Sequence, residues 1–196
     1  GELLAQLQVA SSQASHLATT FANREFFERL RIEPFFVRSA ERNPQAAGSI
    51  AQVIEMLRAP GSVLVHGDYS PKNMLARESQ AVILDWEVAH WGEPRFDIAF
   101  CLSHLLLTGW RRGCAKQPYR EACLAFSNAY ARRGPIRLSD TALARVIGCL
   151  VLARLDGDSP VNFLDGLDME EVRARALWLL LEPALPWSSL FDRLLA

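Results

Sequence analysis

The segment from His66 to Asp97 constrains this chain more than any other, because polar residues of few types are set at fixed spacing around short apolar runs. It reads HGDYSPKNMLARESQAVILDWEVAHWGEPRFD. Aliphatic and β-branched residues on both sides of 77–80 predict a small β-hairpin, with strands at 73–76 and 82–85. Asn73 and Asp85 would then lie on adjacent strands and converge on one point, close to the loop that holds Asp68.

An Asp, an Asn and a second Asp in this order are typical of phosphoryl-transfer sites. One carboxylate receives the proton of an acceptor hydroxyl, while an amide and a second carboxylate hold magnesium against nucleotide phosphates. We therefore predict that Asp68 is the catalytic base and that Asn73 and Asp85 are magnesium ligands. Each could instead be an ordinary turn or loop residue, but the combination favours the catalytic interpretation.

Protein kinases carry a related pattern, H-R-D-x-x-x-x-N followed by D-F-G. Here Gly67 replaces the Arg, and Trp86 and Glu87 follow Asp85. Asp97 comes soon afterwards, and no A-P-E closes a long segment that could dock a peptide. These differences favour a small-molecule kinase over a regulated protein kinase.

Several short motifs occur in one order along the chain. They are His66-Gly67-Asp68, Ser70-Pro71-Lys72-Asn73, Leu84-Asp85-Trp86-Glu87, Gly92-Glu93-Pro94, Asp97-Ile98-Ala99 and, more loosely, 31–34 and 154–160. Through these motifs the chain resembles the aminoglycoside phosphotransferase and choline kinase-like family. The resemblance implies an α+β, mainly α-helical fold, equivalent to the C-terminal lobe of a protein-kinase-like fold, whose small β-hairpin carries the catalytic and metal residues. It also implies Mg²⁺, ATP or GTP as the donor, and transfer to a hydroxyl of an aminoglycoside-like compound or other metabolite.

Five further residues are expected to support the predicted catalytic set. The resemblance suggests that His66 and Asp97 brace the catalytic loop by hydrogen bonds. Ser70 or Lys72 could touch the transferred phosphate, although Lys72 could equally be a solvated loop charge. Glu87 could order metal-bound water or meet the acceptor, but an exposed acid at the end of a strand is the simpler interpretation.

An acidic stretch between two predicted helices offers a candidate acceptor site. It includes Asp156 and Asp158, followed by Asp165 and Asp168. In the family that the chain resembles, C-terminal helices wall the acceptor pocket, so these acids could bind a cationic amine. Asp-Gly pairs are also turn signals, and we favour a turn role for most of these residues.

A chain of 196 residues, 50% hydrophobic, can bury one substantial core, so we predict a single domain. Helices are expected over 1–60, the catalytic loop and metal-binding hairpin over 61–97, and helices on the acceptor side over 98–196. No glycine-rich loop or Lys precedes His66 to form the N-terminal nucleotide-binding lobe that the resemblance implies. We therefore expect a truncated form, whose uncovered surface favours a homodimer or other association. The alternative is a non-catalytic kinase-like domain for binding or interaction.

Charge and hydropathy argue against nucleic acid and membrane partners, so the expected partners are the nucleotide and small-molecule acceptor that the resemblance implies. A net charge of −1 gives no electrostatic reason to expect nucleic acid or an anionic membrane. No apolar run reaches the roughly 18 residues of a membrane span. Cys101, Cys123 and Cys149 lie in apolar helical patterns without C-x-x-C spacing, so reduced core thiols and a cytoplasmic location are expected.

The remaining elements are predicted from apolar spacing and from breaker residues. One or two helices are expected over 2–30, a connection at Pro34 and 39–45, and a strand over 62–66. Ser139 and Asp168 are candidate N-caps. The other helices are predicted at about 46–59, 95–108, 117–132, 140–155, 169–182 and 188–194.

Overall fold

The computed structural model describes residues 1–77, 80–111, 115–138, 141–158, 166–182 and 186–195. Within these ranges the chain is mainly α-helical, with two small antiparallel sheets. This agrees with the predicted α+β class. The α-helices are α1 (Glu2–Ser12), α2 (Ser15–Thr20), α3 (Glu25–Phe27), α4 (Arg38–Arg42), α5 (Ala47–Arg58), α6 (Arg95–Gly109), α7 (Lys116–Ala131), α8 (Thr141–Asp156), α9 (Met169–Leu181) and α10 (Trp187–Leu194).

Each sheet in the described residues has two strands. Strand β1 (Val63–Val65) pairs with β4 (His90–Gly92), so that Leu64 lies opposite Trp91. Strand β2 (Met74–Arg77) pairs with β3 (Gln80–Ile83), so that Met74 lies opposite Ile83. The segment between β1 and β2 is the predicted catalytic loop, and the two pairings hold it at both ends.

The core lies mainly around α6 and α8, which are apolar on nearly every face. A helix of this kind is stable only when other elements surround it. Helix α8 packs against α6 and α9, and α6 also packs against α7. The first turns of α6 are therefore held in place, and these turns carry Asp97. The fully buried residues of α6 and α8 include Phe96, Ile98, Leu102, Leu106, Val146, Ile147 and Leu152.

A ten-residue π-helix, Glu28–Val37, continues directly from α3 and leads into α4. The predicted connection at Pro34 and through 39–42 is therefore wrong, since the chain stays helical as far as Arg42. In an α-helix the Pro34 ring would meet the carbonyl one turn earlier, and the wider i→i+5 turn of a π-helix relieves this contact. The Pro34 carbonyl accepts from the Asp158 amide at 2.9 Å. Pro44–Ala46 forms a 3₁₀ turn before α5.

The other predicted helices are confirmed to within one or two residues, since their periodicity and breakers are local signals. Asp168 caps α9 by accepting from the Glu171 amide at 3.2 Å. Strand β4 escaped the sequence analysis because its three residues carry no alternation long enough to recognise. Cys101, Cys123 and Cys149 are buried free thiols. The predicted roles of Ser139 and Asp165 fall outside the described residues.

No helix in the described residues combines the length and apolar character that crossing a membrane requires.

Candidate active site

Asp97 holds the start of the catalytic loop from the first turn of α6. Its Oδ2 accepts from the His66 amide at 2.7 Å, and its Oδ1 accepts from the Gly67 amide at 2.9 Å. The side chain is fully buried, and burial raises the pKa of Asp97 to about 7, although the two amide donors lower it. Gly67 has φ of 81°, and a Cβ there would lie 2.7 Å from the Val88 carbonyl oxygen. No larger residue fits at Gly67.

His66 connects the catalytic loop to the end of β3. Its Nδ1 accepts from the Asp68 amide at 3.1 Å, so the ring hydrogen lies on Nε2, which donates to the Leu84 carbonyl at 2.9 Å. Burial lowers the pKa of His66, which keeps the ring neutral in this arrangement. Both ring nitrogens of His66 are engaged in these hydrogen bonds, so neither is free to accept a proton in this arrangement.

Asp68 is buried beneath the loop surface, and its carboxylate is surrounded by donors. Oδ2 accepts from Asn73 Nδ2 at 2.9 Å and lies 3.0 Å from Lys72 Nζ. Oδ1 lies 3.5 Å from an Nη atom of Arg31. These contacts orient the carboxylate.

The contacts of Asn73 leave its side-chain oxygen for another partner. Nδ2 donates to both the backbone oxygen and Oδ2 of Asp68, at 3.0 and 2.9 Å. Because Nδ2 is used twice within the loop, Oδ1 is directed away from Asp68. The backbone oxygen of Asn73 also accepts from the Leu84 amide at 2.9 Å. Asn73 is therefore joined to the residue that precedes Asp85.

Asp85 follows β3 and is exposed, with φ of 66°. It is the one non-glycine residue with positive φ in the described part of the chain. Such a conformation persists in native proteins where the surroundings enforce it, and it is concentrated at functional sites. Asn73 and Asp85 flank the paired strands instead of lying within them, which corrects the predicted placement. Asn73 and Asp85 are nevertheless brought near each other, because the Leu84 amide donates to the Asn73 backbone oxygen.

These two residues offer oxygen atoms of the kind that Mg²⁺ prefers. Asn73 Oδ1 is a neutral oxygen fixed by the bonds of its own amide nitrogen, and Asp85 supplies an exposed carboxylate. Magnesium is usually bound through one or two protein oxygens together with substrate phosphates. Among the described residues, no cluster of three or more His, Cys, Asp or Glu side chains could hold a metal alone. The residues present fit a magnesium–nucleotide complex.

The supporting residues take up different positions. Ser70 is fully buried, and its Oγ has no hydrogen-bond partner among the described residues. Lys72 is 61% exposed although its Nζ contacts Asp68. A phosphate could therefore reach Lys72 directly, whereas Ser70 lies beneath the loop. Glu87 is exposed. Burial lowers the pKa of Arg31, and the negative charges of Glu87 and Asp85 act in the opposite direction.

Asp156 and Asp158 are paired with arginines and make no described contact with the catalytic loop. Asp156 accepts from Arg173 and from Asn43 Nδ2, the latter at 3.1 Å. Asp158 accepts from Arg42 at 2.7 Å and lies 3.1 Å from Arg38 Nε. The structure thus gives both carboxylates internal partners around the end of α8.

Two arginines near Asp68 were not predicted as site residues. Arg31, from the π-helix, donates through Nε to the Gly67 carbonyl at 2.7 Å. Its guanidinium and that of Arg154 lie over the same two rings, those of Phe35 and Phe100. Burial lowers the pKa of Arg154 to about 10. An arginine in the last turn of the otherwise apolar helix α8 was the available sequence signal.

A model of the phosphotransferase enzyme family (APH) matches residues 1–136. No curated protein matches the chain. The matched part contains the catalytic loop, the hairpin, Arg31 and Asp97, and it ends before α8 with Arg154 and the two paired aspartates. Because the match extends over more than half of its residues, the chain belongs to the phosphotransferase enzyme family.

Proposed function

We propose that the protein moves the terminal phosphate of ATP or GTP to a hydroxyl of a small molecule, with Asp68 as the base. One observation carries this proposal: Asn73 donates to Asp68 and is joined through the Leu84 amide to the residue beside Asp85. A base and two oxygen ligands are thereby held by one loop and one hairpin. Phosphoryl transfer depends mainly on such positioning and on electrostatic stabilisation.

In the proposed reaction the acceptor oxygen forms a bond to the terminal phosphorus. The bond from that phosphorus to the bridging oxygen breaks, and the nucleoside diphosphate leaves. The hydroxyl proton passes to the Asp68 carboxylate, which Arg31 and Asn73 orient. Magnesium, held by Asn73 and Asp85 when the nucleotide is bound, would offset the charge of the phosphates.

We also propose that the chain has the architecture of the C-terminal lobe of a kinase-like fold. The family match supports this, together with a mainly helical chain and a small hairpin that has polar residues at its ends. A non-catalytic binding domain is not favoured, because none of the three predicted reactive residues is replaced or displaced from the loop and hairpin. The buried free thiols support a reducing compartment such as the cytoplasm.

Substitution of Asp68 by Asn tests the proposal. Asparagine keeps the size of the side chain but cannot take up the proton, so turnover should fall by about 10²–10⁴-fold. Consumption of ATP and GTP and formation of phosphorylated product are measured with the purified protein over a panel of hydroxyl compounds.

The matched control is Asp158→Asn, the same change at an exposed ion pair outside the site. It should leave turnover close to that of the unchanged protein. Thermal unfolding of both variants shows whether the fold is retained. Turnover by Asp68→Asn within a few-fold of the unchanged protein would refute the assignment of the base.

A further inference from the structure

A cavity of about 290 Å³ lies beside the catalytic loop, next to α6 and α7. Lys72 connects it to the proposed base, because Lys72 Nζ is 3.0 Å from Asp68 Oδ2. A small molecule in this cavity therefore lies beside the carboxylate that would receive a hydroxyl proton. The lining residues are Pro71, Lys72, His104, Leu105, Thr108 and Tyr119.

The lining of this cavity is positively charged. Among the six lining residues, Lys72 is the one with a charged side chain at neutral pH, and none is acidic. Burial, together with the nearby Arg154, lowers the pKa of His104 to about 4, so that ring is neutral. A ligand in the cavity thus meets one ammonium group, apolar side chains and neutral polar groups.

More positive charge lies behind the lining. Arg154 Nη2 is 3.3 Å from His104 Nε2, and its guanidinium is 4.6 Å from the centre of the Phe35 ring. Arg31 lies 5.5 Å from that same ring and contacts Asp68. Lys72 and Arg31 thus both contact Asp68, and Arg154 lies close to the lining of the cavity. This arrangement attracts an anion and repels an ammonium group.

The nearby acids do not provide a site for a cation. Asp156 and Asp158, predicted as candidate ligands for a cationic amine, are bonded to Arg173, Arg42 and Arg38. Asp85 and Glu87 follow β3, on the side that we assign to magnesium. In the described part of the chain, the acids that border this region are already engaged or belong to the donor side.

We infer that the acceptor is an alcohol that carries a carboxylate or phosphate group, and that Lys72 binds this anion. The inference rests on the proposed function for the reaction itself, and it adds the charge class of the substrate. The inference predicts that a polycationic acceptor binds poorly, because its ammonium groups would lie next to the Lys72 ammonium group and near the Arg154 guanidinium.

An anion bound by Lys72 should also make Asp68 more accessible to the acceptor hydroxyl. On Asp68, Oδ2 already accepts from Asn73 and from Lys72, so both of its usual acceptor positions are occupied. Lys72 is 61% exposed and can move toward an anion in the cavity. That movement vacates a position on Oδ2 for the acceptor hydroxyl. A cationic or neutral acceptor leaves Lys72 on Asp68.

The test uses two carbon skeletons, each in anionic, neutral and cationic form. The three-carbon set is glycerate, glycerol and 3-amino-1,2-propanediol, with glycerol 3-phosphate added to distinguish phosphate from carboxylate. The six-carbon set is glucuronate, glucose and glucosamine. Binding is measured by saturation-transfer NMR without nucleotide, and transfer is measured with ATP or GTP and magnesium.

The anionic members should bind at least about tenfold more tightly than their cationic counterparts, equivalent to about 1.4 kcal/mol. Lys72→Met should remove this preference, Lys72→Arg should retain most of it, and Lys116→Met, at the other lysine, should not change it. A shift in KM should exceed the shift in kcat for anionic acceptors.

The binding and transfer measurements separate two failures. If the anionic preference depends on Lys72 but no compound is phosphorylated, the anion site stands and the proposed function is wrong. If none of the three anionic compounds binds more tightly than its cationic counterpart, or if Lys72→Met keeps the preference, the inference is wrong whatever the transfer assay gives.

Discussion

At the scale of single residues, the site depends on buried polar groups whose bonds are all internal. Asp97 accepts from two successive backbone amides, and His66 bonds to the loop on one side and to β3 on the other. Removing one partner from such a group leaves a buried donor without an acceptor, which costs more than the bond contributes. The loop geometry therefore depends on residues that do not touch the substrate.

Asp97→Asn should destabilise the protein and lower its turnover together. The amide oxygen can still accept from one backbone amide, but its NH₂ group then faces the other amide donor. We expect a loss of about 1–3 kcal/mol in the free energy of unfolding, measured by urea denaturation, and at least about a tenfold loss of turnover.

Asp192→Asn is the control for Asp97→Asn, because Asp192 is exposed and pairs with Arg120. Exposed pairs contribute about 0–1 kcal/mol, so this variant should stay within that range. Unchanged turnover in Asp97→Asn would show that the loop does not need both acceptor oxygens.

At the scale of elements, the π-helix is the feature that places Arg31. A run of ten residues is long for this conformation, which is rare and often marks functional sites. Arg31 projects from it to the Gly67 carbonyl and to Asp68, and the Pro34 carbonyl bonds to the chain after α8. The π-helix therefore joins the catalytic loop to the region of the paired aspartates.

Protonation of His90, on strand β4, should make the stability of the protein depend on pH. His90 is buried, its Nδ1 lies 3.0 Å from the Val88 carbonyl oxygen, and its ring stacks on Phe27 at 4.0 Å. Burial lowers the pKa of His90 to about 4 from an ordinary value of 6.5. Below pH 6.5 the unfolded chain binds this proton and the folded chain does not, so the free energy of unfolding decreases as the pH is lowered.

We expect His90 to account for about 2 kcal/mol of stability lost between pH 7.5 and pH 5. His90→Gln should therefore show a smaller pH dependence, by about that amount, in urea denaturation at the two pH values. Asp97 acts in the opposite direction, because its raised pKa lets the folded chain bind a proton first. Asp97 is present in both proteins, so its contribution cancels when the variant is compared with the unchanged protein.

Substitution of His16, an exposed histidine on α2, controls for the loss of a histidine elsewhere. If His90→Gln and the unchanged protein lose the same stability between the two pH values, the titration does not belong to His90.

At the scale of the whole molecule, the acidic residues fall into two groups with different surroundings. Asp85 is exposed beyond the hairpin and has a positive φ. Asp158 lies at the end of α8 and is bonded to Arg42 and Arg38. The first group is available to a hard cation, and the second joins α4 and the π-helix to the chain after α8.

Because Asp85 and Asp158 have different surroundings, replacing each of them by Asn should affect nucleotide binding differently. Asp85→Asn, which keeps the size and tolerance for positive φ, should weaken magnesium-dependent nucleotide binding by at least about tenfold. Asp158→Asn should change it by less than about twofold. Isothermal calorimetry with magnesium and a nonhydrolysable nucleotide measures both. Equal losses in the two variants would count against Asp85 as a ligand.

The sequence by itself determined most of the secondary structure and the order of the residues that we propose as reactive. The helices from α5 onward follow from apolar periodicity and from Pro, Gly and capping residues, which act over one or two turns. The hairpin followed from two aliphatic runs, and Asp68, Asn73 and Asp85 from their spacing. These signals lie within short stretches, so no knowledge of distant contacts was needed.

The tertiary structure decided how distant residues complete the site. The family resemblance, and no local pattern, led us to expect Asp97 at the loop, although it lies 31 positions from His66. Arg31, 36 positions from Gly67, was not predicted to bond to the loop. No local pattern predicted the π-helix, the β1–β4 pairing or the nearness of Arg154 and Lys72 to one cavity. Such contacts arise from the packing of α6 and α8 in the core, because burial is a property of the folded chain and not of a segment.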